Sequence, residues 1–167
     1  MGRLGHKAFL HGVAHLSPSG CGRSLRLEAR GLFTLRARFL GGKGPGTGFH
    51  QVVLWFRTDR EGFVTEVVVA HWSLLAPAPV GFLPDEPLRF SLLGEWLGAH
   101  EGVGRVWVVP KDPEEAPPFP VRFLPVRPHL VPAPGGLALV LGRVERGRLL
   151  GEEVLLLSGR VLCPGAG

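Results

Sequence analysis

Residues 23–40 read RSLRLEARGLFTLRARFL. Leu25, Leu27, Ala29, Phe33, Leu35, Ala37 and Phe39 hold the odd positions, with Gly31 in the same phase. Arg26, Glu28, Arg30, Thr34, Arg36 and Arg38 hold the even ones. Side chains alternate between faces along a strand. The stretch therefore reads as one long, half-buried β-ribbon with an apolar face and a basic face. Gly31, in mid-ribbon, has no side chain to pack and predicts a bend or bulge. Long, bent strands help to close small β-barrels. A small barrel with a cationic outer face fits single-stranded nucleic acid.

Working outward, residues 7–16 read as a first strand, and SPSGCG at 17–22 has the residues of a turn. GGKGPGTG at 41–48 is a flexible loop, glycine-rich but without the GxxxxGK[ST] pattern of a nucleotide cradle. Residues 49–57 and 63–72 read as two strands joined by a compact turn at 58–62, the second rich in β-branched residues. A proline-rich linker spans 77–87. Strand candidates then recur at 88–97, 104–110 and 119–124, the last an edge strand because of its prolines. Residues 137–144 and 154–162 form a hairpin joined by 145–153. No stretch keeps helical periodicity. FSLLGEWLGAH at 90–100 comes nearest, and Gly94 and Gly98 weigh against it. Short strands with frequent turn signals predict an all-β chain. The expected architecture is two tandem small OB-like Greek-key barrels, 1–76 and 88–167.

The formal net charge is +5, which favours a polyanionic partner. Sixteen arginines against three lysines, with no Ile, Asn or Tyr, fit GC-rich coding. Few amides and many prolines fit a thermophile. Residues 1–76 carry ten Lys/Arg against four Asp/Glu, and residues 77–167 nine against ten. A compositional bias acts on both halves alike, so this asymmetry needs another cause. Cys21 and Cys163 show no CxxC pattern and read as two unremarkable cysteines. No signal peptide is visible and no apolar run spans a membrane, so a cytoplasmic, soluble protein is expected.

Several segments resemble bacterial single-stranded-DNA-binding proteins and the related primosomal OB-fold proteins. Those chains open on a strand like 7–16 and pass through a turn into a long alternating strand like 24–30 and onward. A later strand of theirs has an aromatic, His and apolar residues, similar to Phe49-His50-Gln51-Val52-Val53. Thr65-Glu66-Val67-Val68-Val69 looks like their closing strand, and 135–144 with 154–162 like their last hairpin. The family places a helix and a strand before its closing strand, where this chain has only 58–62. The ribbon's outward face also lacks the family's stacking aromatics, and the chain ends on LCPGAG rather than an acidic tail. The resemblance implies DNA replication or repair.

Single strands are bound by cationic grooves together with aromatic faces on which bases stack. The outward candidates are Arg26, Arg30, Arg36, Arg38, Lys43, Trp55, Arg57, Arg105, Trp107, Lys111 and Arg122. Trp72 and Trp96 are assigned to cores or domain contacts. A solvated sheet face is the competing reading for the arginines. The carboxylates cluster in turns, no GxSxG is present, and His6, His11 and His15 are read as structural, so no enzyme, metal or cofactor is expected. The expected function is non-catalytic binding of single-stranded DNA, in preference to RNA. The alternative is a structural or adaptor β-domain that binds an acidic protein. A homodimer or a replication or repair protein is a further partner to consider, and no membrane is expected.

Overall fold

The computed structural model describes residues 6–19, 24–41, 43–78, 81, 83–111 and 117–157, with the side chains of all of these but 33 and 34. Cys21, Cys163 and the predicted strand end at 158–162 lie outside the described residues. The elements are nearly all strands: β1 Lys7–Pro18, β2 Ser24–Ala29, β3 Leu32–Phe39, β4 Gly48–Thr58, β5 Val64–Ala76, β6 Arg89–His100, β7 Val103–Val108, β8 Phe119–Pro125, β9 Leu137–Glu145 and β10 Arg148–Leu157. One 3-10 turn, Pro128–Leu130, interrupts them. No helix among the described residues is long and apolar enough to cross a membrane.

β1 to β5 close into a five-stranded barrel. β1 pairs with β2, β2 with β3, and β3 runs parallel to β5. β5 pairs with β4, and β4 returns to β1. The remaining strands pair in the order β6-β7-β8-β10-β9, again with one parallel contact, β8 to β10, and β9 returns to β6. The two circuits meet where β1 pairs antiparallel with β6, from Lys7↔Leu93 to His11↔Arg89.

The single ribbon expected over 23–40 is instead a hairpin. Ala29 pairs with Leu32 across a two-residue turn, Arg30-Gly31, with Gly31 at φ +87°. A two-residue turn reverses the parity of the inward positions, from odd Ala29 to even Leu32. Between the pairs Leu27↔Leu35 and Ala29↔Leu32, β3 has one residue more than β2. That bulge restores odd parity, so Leu35, Ala37 and Phe39 again point inward. Turn and bulge cancel, which is why the alternation looked unbroken. The extra strand supplies the fifth member of the first circuit.

The strand expected at 88–97, in preference to a helix over 90–100, is β6, with Phe90, Leu92 and Trp96 buried at even positions. One further expectation is corrected. The last hairpin turns tightly at Arg146-Gly147, so 148–153 is strand rather than loop.

The core is continuous across both circuits. The first is filled mainly by aliphatics such as Leu10, Leu16, Leu25, Leu27 and Leu54. The second is built on Phe90, Trp96 and Phe123, with Trp96 and Phe123 ring centroids 5.9 Å apart. Trp72, expected in a core or a domain contact, is half-buried against the core and edge-on to Phe39. The linker is strapped down: His15 Nε2 donates to Ala78 O at 2.8 Å, and Arg30 donates to Pro84 O and Leu83 O.

Candidate nucleic-acid interface

The outward face of β2 and β3 is set by their alternation. Leu25, Leu27 and Ala37 are buried, so Arg26, Arg36 and Arg38 are turned to solvent. The register places Arg26 directly opposite Arg36. Glu28 bridges Arg26 at 2.9 Å. Arg38 lies 3.7 Å from Glu66, with both side chains mostly exposed, a pairing worth little in water. No carboxylate lies within 4 Å of Arg36 among the described residues. Ladder pairs Ser24↔Arg38, Arg38↔Val68 and Val68↔Trp55 form one row across four strands. Strands lie about 4.8 Å apart, so Arg38 and Trp55 are separated by roughly 10 Å of backbone. Trp55 is 50% exposed, a large apolar surface left in water beside cations.

The second circuit repeats part of this arrangement. On β7, Val106 and Val108 are buried, which turns Arg105 and Trp107 outward. Arg105 stands directly opposite Arg122 on β8, and Trp107 opposite Pro120. The two arginine pairs occupy matching places. Arg36 is two residues before Arg38, which pairs with β5, and Arg122 is two residues before Leu124, which pairs with β10. Among the described residues, no carboxylate lies within 4 Å of Arg105 or Arg122. Arg105 Nε is buried without a hydrogen-bond partner.

The other predicted residues go elsewhere. Arg30 sits in the β2–β3 turn, held by linker carbonyls, at the edge of an open cavity of about 520 Å3 shared with Asp85 and Arg146. Arg57 lies 3.6 Å over the Phe119 ring and joins the circuits. Burial holds its pKa below the ordinary arginine value, with Glu66 pulling the other way. Lys43 and Lys111 are exposed in loops.

The comparisons with known proteins yield no matching family model, no matching curated protein and no matching solved structure. The site therefore rests on its own chemistry.

The three histidines have separate surroundings. His6 Nδ1 accepts from Val109 N, His15 ties down the linker, and His11 faces Arg89. Burial first, and the Arg89 charge second, lower the His11 pKa. Among the described residues, no three His, Cys, Asp or Glu side chains are placed to hold a metal ion. Sequence reasoning missed Phe119 as the seat of Arg57, and Thr58, whose Oγ1 accepts from Arg122 N at 3.1 Å. Each pair spans more than sixty positions, so no local pattern signals it.

Proposed function

We propose that the chain is a non-catalytic single-strand nucleic-acid binder built from two tandem OB-like Greek-key barrels, over 1–76 and 88–167, joined by 77–87. What carries this reading is the recurrence of an outward arginine pair, Arg26↔Arg36 and Arg105↔Arg122, at matching positions of the two circuits. Like charges directly opposite each other on a sheet are destabilising. Such a cost twice in register is accounted for by an anion that lies between the guanidinium groups. In OB barrels the face of the second and third strands binds oligonucleotides, and those are the strands that carry both pairs. The arginines would neutralise phosphates while Trp55, and Trp107 on the second circuit, offer π-faces to bases.

A fluorescence titration with oligo-dT and an RNA oligomer, at two salt concentrations, tests this. Tryptophan quenching is expected, tighter for DNA, with a log–log salt slope of about −3 if four arginines neutralise phosphates. The double variant Arg36→Glu/Arg38→Glu should bind at least tenfold more weakly and with a shallower salt slope, because two phosphate-neutralising charges are removed and reversed. Unquenched fluorescence in the parent, together with saturable binding of a poly-Glu peptide, would favour the adaptor reading instead.

A further inference from the structure

The two arginine pairs differ in charge balance, and that difference assigns them different phosphates. On the first circuit, Glu28 sits 2.9 Å from Arg26, so the pair with Arg36 has a net charge near +1. On the second, neither Arg105 nor Arg122 has a carboxylate within 4 Å among the described residues, which by themselves leave that pair near +2. Glu95, on the neighbouring strand, stands opposite Trp107 and bridges neither arginine. Arg105 is also half-buried, and its Nε is the one buried side-chain nitrogen or oxygen without a hydrogen-bond partner among the described residues. Unpaired buried polar groups are rare and call for an explanation. Because Nε is covered, the terminal N–H groups of the two guanidinium groups are the donors that a phosphate would meet in a forked pair.

An internal phosphodiester carries one negative charge. A phosphate monoester carries about −1.5 to −2 at neutral pH and has three acceptor oxygens. A pair at +1 matches the first, and a half-buried pair at +2 matches the second. We infer that Arg105 and Arg122 form a site for a phosphate monoester, the terminal phosphate of a bound strand, while Arg26 and Arg36 hold an internal diester. This rests on the single-strand reading above and adds end recognition to it. Trp107, next along β7 from Arg105, is placed to stack the terminal base.

The test compares three oligo-dT strands of equal length: 5′-phosphorylated, 3′-phosphorylated and with hydroxyls at both ends. One phosphorylated strand should bind roughly tenfold tighter than the hydroxyl strand, the effect of one or two new charge-assisted hydrogen bonds. Arg122→Gln, an outward substitution, should erase that preference. Thymidine monophosphate, added as competitor, separates the sources of the group. If it removes the preference only in large excess, the strand end is the ligand. If it does so at concentrations equal to the strand, the site takes free monoesters as readily, and end recognition is overturned. Equal binding of all three strands overturns the monoester site and leaves single-strand binding standing. If no strand binds, the functional reading itself falls and this inference with it.

Discussion

A side chain on Gly31 would meet the carbonyl of Val144 from the other circuit, and its φ of +87° lies where only glycine is at ease. Its carbonyl also accepts from Gly147 N at 2.8 Å. Gly31→Ala should therefore cost on the order of 3 kcal/mol, a clash added to backbone strain. Urea denaturation measures this, and a loss under about 1 kcal/mol would mean that the turn relaxes freely. The sequence marked Gly31 as special but not as a turn. Its neighbours keep the alternation because a parity reversal at the turn is undone by the bulge three residues later. The outward phase of Arg26, Arg36 and Arg38 was legible for the same reason, since period-two patterning survives the error.

At the scale of elements, proline-rich 77–87 reads as a linker, and three of its described residues are fastened to the first circuit. The backbone carbonyls of Ala78, Leu83 and Pro84 are fastened to His15 and Arg30. Replacing His15 with Phe keeps a ring against Phe49, 5.0 Å away, but removes the hydrogen bond to Ala78. His15→Phe should lower stability by about 1 kcal/mol. It should also raise amide exchange along the described linker residues, and unchanged exchange there would show that the strap is held by other contacts. The turn at 58–62 was read correctly from its composition. Asp59 organises it by accepting from Glu61 N and Phe63 N. Its second role is not local: Gly62 O accepts from Leu149 N and Glu61 O from Arg148 Nε. In OB barrels the loop between the fourth and fifth strands binds ligand, whereas this turn belongs to the contact between circuits.

For the whole molecule, three features tie the circuits together: the β1–β6 ladder, the two hairpin turns that reach across, and one continuous core. Such coupling predicts one cooperative unfolding transition, with calorimetric and van't Hoff enthalpies equal. Two resolved transitions would mean that the circuits are independent. The sequence by itself determined that the described residues are nearly all β, where most strands begin and end, and the outward phase of Arg26, Arg36 and Arg38. These follow from alternation and turn chemistry, which act over a few residues. Only the tertiary structure decided that 23–40 is a hairpin and that Arg26 meets Arg36 while Arg105 meets Arg122. The same holds for Arg57, drawn onto Phe119, and Arg30, drawn onto the linker. Register and long-range packing choose those partners, and a one-residue slip in register, invisible in composition, would choose others.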